Sequence, residues 1–188
     1  MSGSSKSTQE HRAAAADALD PSAGGGPVGC AVLTISDTRT LETDQGGPLI
    51  VKFLEEAGHT VVKRALCKDE PAAINDWLTK WLANGQIKAI LTTGGTGIAK
   101  RDTTIEVVER RLSVRMDGFG ELFRMLSFKE VGAAAMLSRA VGGAVFQEAS
   151  RGGDTFIFAM PGSLNAIETA MKNLIAPELA HLVWERKR

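Results

Sequence analysis

The stretch Leu91–Thr104, LTTGGTGIAKRDTT, joins the end of an apolar run to a glycine-rich loop and then to the mouth of a helix. Ala89, Ile90 and Leu91 have the character of a strand buried on both faces, as in a parallel sheet covered by helices. Gly94, Gly95 and Gly97 let the backbone turn sharply and expose N–H groups where no Cβ blocks a ligand. Such donors, beside a helix N-terminus, suit an anion such as phosphate. Lys100 and Arg101 add positive charge, and Asp102 offers a carboxylate able to hold Mg²⁺. The competing reading is structural: a glycine-rich turn can be punctuation, and Asp102 can cap a helix beginning at Thr103 and Thr104.

Neither common nucleotide motif accounts for the loop. G-x-x-x-x-G-K-[ST] occurs nowhere in the chain. Gly95-Thr-Gly97 is followed by Lys100 where a dinucleotide fingerprint needs its third glycine, and the loop lies in mid-chain. This counts against a nicotinamide-dependent oxidoreductase.

Outward from this loop, the chain alternates strand and helix patterns. Val28–Ile35 reads as a strand ending in Ser36-Asp37, followed by a polar link from Thr38 to Gly47. Leu49, Ile50, Phe53, Leu54 and Ala57 recur at helical spacing until Gly58. His59–Leu66 alternates as a strand. Asp69-Glu70-Pro71 opens a helix with Ile74, Trp77, Leu78, Trp81 and Leu82 on its core face. Ile87–Thr92 is the next strand. In the second half, Gly118–Val131 reads as a helix, Ala133–Leu137 as a further turn or two, and Val141–Phe146 and Thr155–Ala159 as strands. Helices from about Asn165 and from Pro177 to Arg186 complete the chain. The order predicts an α/β fold, a three-layer α/β/α domain with a mostly parallel sheet, over residues 28–188.

In open α/β sheets, ligands bind outside the carboxyl ends of the strands. Ser36-Asp37, Thr93–Gly97 and Pro161-Gly162-Ser163 all follow strand ends, so three loops are expected to converge there. Asp69 falls at the same edge, although it can equally be the N-cap of the Pro71 helix. Asp37 reads first as a turn former. Arg139 is either a surface charge or a planar grip on an anion. Phe119, Phe123 and Phe128 read as core or subunit contact rather than a nucleic-acid stacking surface, because no basic residues are regularly interleaved.

Composition narrows the classes. The 188 residues are 44% hydrophobic, enough for one sizeable core, and carry 22 basic and 22 acidic side chains. That balance gives no global attraction to nucleic acid or membrane. Cys30 and Cys67 have no zinc or disulfide spacing and read as small buried hydrophobes. No apolar run approaches the ~20 residues needed to span a bilayer. Residues 1–27 are rich in Ser, Ala and Gly without a signal-peptide core, and are expected to be a disordered tail of a cytoplasmic protein.

Seven segments occur in a telling order: Thr34-Ile-Ser-Asp37, Asp44-Gln-Gly-Gly47, Leu91–Gly97, Arg101-Asp102, Gly118-Phe-Gly-Glu121, Leu137-Ser-Arg139 and Met160-Pro-Gly162. Together they resemble the molybdenum cofactor biosynthesis family that contains MoaB and the molybdopterin adenylyltransferase MogA. Phe123–Gly132 is closer to the MoaB branch. The resemblance implies a homotrimer or homohexamer that binds molybdopterin, a pterin dithiolene monophosphate. In catalytic members Mg-ATP adenylylates the terminal phosphate and pyrophosphate leaves; a molybdate-inserting protein acts next. The two essential carboxylates of those members fall on Asp69 and Asp102, which the resemblance makes catalytic and Mg²⁺-binding. Substrate contacts are implied for Ser36, Asp37, Thr93, Gly94, Gly95, Thr96, Gly97, Arg101, Ser138, Arg139, Pro161, Gly162, Ser163 and Asn165. The chain departs from the family's Pro-Gly-Asn-Pro element at Ser163-Leu164. The alternative within the same pathway is a molybdopterin-binding or scaffold protein without catalysis.

Overall fold

A computed structural model of the chain describes residues 26–186. The expected disordered tail therefore lies outside the described residues, apart from Gly26 and Pro27. Among the described residues six strands form one sheet: β1 (Gly29–Ile35), β2 (Thr60–Cys67), β3 (Ala89–Thr93), β4 (Val114–Arg115), β5 (Val141–Val145) and β6 (Thr155–Met160). Their order across the sheet is β2-β1-β3-β6-β5-β4. The first four in that order run parallel, whereas β5 and β4 are antiparallel to their neighbours.

Side-chain alternation along the parallel strands explains the three layers, since successive residues face opposite sides of a sheet. Cys30, Val32, Ala89, Leu91, Phe156 and Phe158 face one layer of helices. This layer holds α1 (Gly46–Glu56), α4 (Asp117–Val131), α5 (Leu164–Ala170) and α6 (Ala176–Glu185). Ala31, Leu33, Ile90, Ile157 and Ala159 face the other. There α2 (Pro71–Leu82) and α3 (Thr104–Glu109) supply Ile74, Leu78, Trp81, Ile105 and Val108. Both faces are thus buried, as the unbroken apolar run in β3 predicts.

Several expectations are refined. Trp81 is buried, but Trp77 is only half-buried at the margin. Phe119 and Phe123 belong to the core, whereas Phe128 is 61% exposed. The two-residue strand β4 falls below the length at which alternation can be read from sequence; its pairing to β5 creates it. The last two expected helices are joined, because a π-helical segment, Met171–Ile175, carries α5 into α6. Pro177 near the start of α6 lacks the N–H that a regular α-helical ladder requires, which accounts for widened winding just before it. Both cysteines are buried and unpaired. Burial pushes the Cys30 thiol up to about 12, while burial and then the charge of Asp69 push Cys67 to about 11.

One buried carboxylate fastens the link between β1 and α1. Oδ1 of Asp44 accepts the N–H groups of Gly46 (3.0 Å) and Gly47 (3.1 Å), which open α1. Its Oδ2 accepts from Thr34 of β1 at 2.8 Å and from Arg64 of β2 at 2.9 Å. Burial opposes ionisation of Asp44, but Arg64 and the other donors outweigh it and hold the carboxyl below its ordinary pKa. A depressed pKa contributes stability that is complete above the unfolded-state value and lost as pH falls through the folded one. Asp44→Ala is therefore expected to lower stability at pH 7 by about 2–4 kcal/mol, given the donors it strands. By the same linkage the deficit of Asp44→Asn relative to the parent should shrink below about pH 4. Denaturant unfolding of all three proteins across this pH range checks both expectations.

Candidate functional site

The four parallel strands end together. Thr34 of β1 is level with Thr93 of β3, Thr93 with Met160 of β6, and Ile35 with Cys67 of β2. The loops after all four strands consequently meet at one edge. Thr93 donates its hydroxyl to the Pro161 carbonyl at 3.0 Å, and the Gly94 N–H donates to Met160 O at 3.2 Å. Gly94 has φ +98°, and a Cβ there would strike the Ile35 carbonyl. Gly162 packs over it so closely that an added Cβ would stand 3.3 Å from the Gly94 Cα. Glycine is required at Gly94 by both its conformation and its neighbours.

Beyond Gly94 the loop turns its carbonyls one way. The Thr104 N–H donates to Gly95 O at 3.1 Å. Arg139 donates from Nε to Thr96 O at 2.9 Å and from Nη2 to Gly97 O at 2.5 Å. It also reaches the Asp102 carbonyl at 3.3 Å and pairs with Glu106. In a trans peptide the C=O and the next N–H point in opposite directions. The N–H groups of Thr96 and Gly97 are therefore aimed away from the groups that hold those carbonyls. Among the described residues, none accepts a hydrogen bond from the N–H of Gly95, Thr96 or Gly97. Thr96 is 4% exposed and its two glycine neighbours are half-buried, a setting in which unpaired backbone donors are uncommon. Donors of this kind suit an anion.

The loop belongs to the wall of a cavity of about 550 Å³. Of the expected substrate residues, Ser36, Thr93, Gly94, Gly95, Thr96, Gly97, Ser138, Pro161, Gly162 and Ser163 line it, as does Asp102. Asp37, Asp69, Arg101, Arg139 and Asn165 do not. Ser163 also caps α5 by accepting the Ala166 N–H. Asn165 donates instead to Glu130 of α4 at 2.7 Å. A second cavity of about 430 Å³ adjoins the first and shares Asp102 with it; Lys100, Arg110 and Arg139 are among its lining.

The two carboxylates meet the loop at different glycines, Asp69 at Gly95 and Asp102 at Gly97. Neither caps a helix. Asp69 accepts from the Thr103 hydroxyl (3.1 Å) and N–H (3.3 Å), while its Oδ2 lies where a Cβ on Gly95 would stand. Asp102 accepts the Ala99 N–H at 2.9 Å, and its Oδ2 is 2.5 Å from the Cβ position of Gly97. Asp37, read from sequence as a turn former, instead accepts the Asp69 N–H at 3.1 Å and so ties the β1 loop to the β2 loop. Burial, with the nearby charges of Asp102 and Asp37, raises the pKa of Asp69 against the opposing hydrogen bonds from Thr103. A cation here would relieve that repulsion. Among the described residues no cluster of three or more His, Cys, Asp or Glu side chains is placed to hold a metal alone. Among the described residues, Asp69 Oδ2 and Asp102 Oδ1 accept no hydrogen bond, and carboxylate oxygens left over in this way suit Mg²⁺, which keeps waters and substrate phosphates in its shell.

Sequence reading missed Thr38 and Arg39, which line the larger cavity. They stand within the polar stretch read as a link between β1 and α1. The available signal was their position directly after the strand-end pair Ser36-Asp37.

Comparison with known proteins agrees with the resemblance. Residues 31–181 match the family model described as a probable molybdopterin binding domain. A molybdenum cofactor biosynthesis protein B from Staphylococcus carnosus is 51% identical over 159 residues, covering 83% of this chain and 89% of the relative. The protein of that name from Bacillus anthracis is 46% identical over 162 residues, with 86% and 92% coverage. A crystal structure of a molybdenum cofactor biosynthesis protein B superimposes with TM-score 0.80 at 45% identity, over 86% of this chain and 97% of that one. The tungsten cofactor synthesizing protein MoaB from Pyrococcus furiosus gives 0.73 at 29% identity, with 86% and 98% coverage. With its strand-end loops, glycine-rich turn and match across nearly the whole described domain, the chain belongs to the molybdopterin-binding family of molybdenum cofactor biosynthesis proteins.

Proposed function

We propose that this chain binds molybdopterin by its phosphate and adenylylates it with Mg-ATP in the cytoplasm. The observation that carries the reading is the row of unpaired N–H groups from Gly95 to Gly97, set in the cavity wall beside Asp102. A phosphate monoester satisfies those donors, which are held in place before it arrives. A phosphate oxygen of molybdopterin attacks the α-phosphorus of ATP; a new P–O bond forms as the bond to the β-phosphate breaks, and pyrophosphate leaves. Such a transfer depends on positioning and charge neutralisation more than on covalent chemistry by the protein.

Two adjoining cavities that share Asp102 suit two substrates. The larger takes the pterin phosphate; the smaller presents Lys100 and Arg110 to the nucleotide. Asp69 and Asp102 would hold Mg²⁺, which when bound neutralises the phosphate charge. Arg139 keeps the loop carbonyls turned aside, and Asp69 keeps Thr103 and the start of α3 in place. The raised pKa of Asp69 means that its ionised, metal-binding form is lost at a higher pH than for an ordinary aspartate as the solution is acidified.

An oligomer completes the proposal. Met125, Phe128 and Met136 are 51%, 61% and 81% exposed on one neighbouring stretch, α4 and the turn after it. Apolar surface of this kind marks contact with another chain. Light scattering at micromolar concentration should give three or six times the 20.0 kDa chain mass; a monomer would refute the assembly.

The catalytic test is incubation of the purified protein with molybdopterin and Mg-ATP, following adenylylated product and pyrophosphate. Asp102→Asn retains an acceptor for the Ala99 N–H but loses the charge. It should lower the rate by a factor on the order of 10² or more, with little change in melting temperature. Asp69→Asn should do the same while retaining an acceptor for Thr103. Bound molybdopterin without any product would favour the scaffold reading, and near-normal rates in both variants would remove these carboxylates from the mechanism.

A further inference from the structure

We infer that Arg39 is the cationic anchor for the substrate phosphate in the larger cavity, a role that rests on the reading of that cavity as a phosphate-ester site. Elimination supports it first. Lys100 and Arg110 line the neighbouring cavity, and Arg101 lines neither. Arg139 lies in the neighbouring cavity's wall with its donors directed to the Thr96, Gly97 and Asp102 carbonyls and to Glu106. Arg64 is committed to Asp44 and Leu41 O. Arg39 is the one basic residue among those lining the larger cavity, and among the described residues no ion pair engages it.

Placement and charge supply the positive argument. The backbone beneath Arg39 is tied down while its side chain is exposed. Ser36 Oγ accepts the N–H of Arg39 at 3.2 Å and that of Thr38 at 3.3 Å. Farther along, Thr43 accepts the Thr40 N–H at 2.8 Å, and Asp44 fastens the far end of the loop. Asp102 is the one carboxylate among the residues lining this cavity. A phosphate dianion seated on the Gly95–Gly97 amides therefore meets a like charge, and a guanidinium from the same cavity's lining offsets that repulsion. Arginine adds two parallel donors matched to phosphate oxygens, which lysine cannot reproduce.

The test compares binding of molybdopterin and of dephosphorylated molybdopterin to the parent, Arg39→Lys and Arg39→Gln, without ATP, by titration calorimetry. Because Arg39 is exposed and its fixed contacts are through the backbone, melting temperatures should agree within about a degree. The parent should prefer the phosphorylated ligand. Arg39→Gln should weaken that ligand by about 10- to 100-fold, the range for a charged hydrogen bond, and leave the dephosphorylated one unchanged. Arg39→Lys should fall between. Equal preference for the phosphate in the parent and in Arg39→Gln would overturn the role of Arg39 while leaving the phosphate site intact. A parent that does not distinguish the two ligands would overturn the phosphate site and the anchor with it. Equal weakening of both ligands in Arg39→Gln would also overturn the anchor, since the effect would not concern the phosphate.

Discussion

Four parallel strands ending level with one another are the constraint on which the site depends. Because Thr34, Thr93 and Met160 lie side by side in register, the segments that follow them have no choice but to meet. Cys67, level with Ile35, brings Asp69 to the same edge from the sheet margin. The register in turn rests on strands whose two faces are both buried, so that a slip of one residue would exchange the residues of the two core layers. Chemistry at the edge is thus held by packing across the whole sheet. The short contacts of Gly94 with Ile35 O and Gly162 are the local expression of that alignment.

Once the loops have met, polar groups decide which atoms face the cavity. The Gly95, Thr96 and Gly97 carbonyls are taken by the Thr104 N–H and the guanidinium of Arg139, while the N–H groups of the same residues have no acceptor among the described residues. Asp69 and Asp102 press on the same loop through Gly95 and Gly97, where any side chain would occupy the space of a carboxylate oxygen. The arrangement concentrates negative charge near a set of unpaired N–H groups. Burial and like charges leave Asp69 harder to ionise than usual, a condition common at functional sites. Cationic ligands and phosphate-bearing ligands therefore complement each other at this edge.

Much of this was legible in the chain. The apolar strand before Gly94, the helical spacing of Leu49 to Ala57 and the Pro71 start of α2 led to the correct layers, because each is a local pattern with a local cause. The strand-end rule brought Ser36, Thr93–Gly97 and Pro161–Ser163 to one cavity. What sequence could not supply were relations between distant residues. Arg139 stood as either a surface charge or an anion grip; its partners Glu106, Asp102, Gly97 and Thr96 lie 33 to 43 positions away. Asp69 and Asp102 looked like possible helix caps because local capping is readable, whereas the contact of Asp69 with Thr103 is not. Arg39 was hidden in a polar link whose path is set by Asp44. The two-residue β4 exists through its pairing alone, and the π-helical passage before Pro177 joins what spacing had suggested were separate helices.

The most direct test of the account is the behaviour of three backbone amides. In ¹⁵N-labelled protein titrated with molybdopterin, the amide protons of Gly95, Thr96 and Gly97 should move downfield together and saturate, as N–H groups do when they gain a charged acceptor. The dephosphorylated ligand should leave them nearly unmoved. If molybdopterin binds, as shown by saturable shifts elsewhere, while these three amides stay in place, the phosphate does not sit on the glycine-rich loop and the account of the site is wrong.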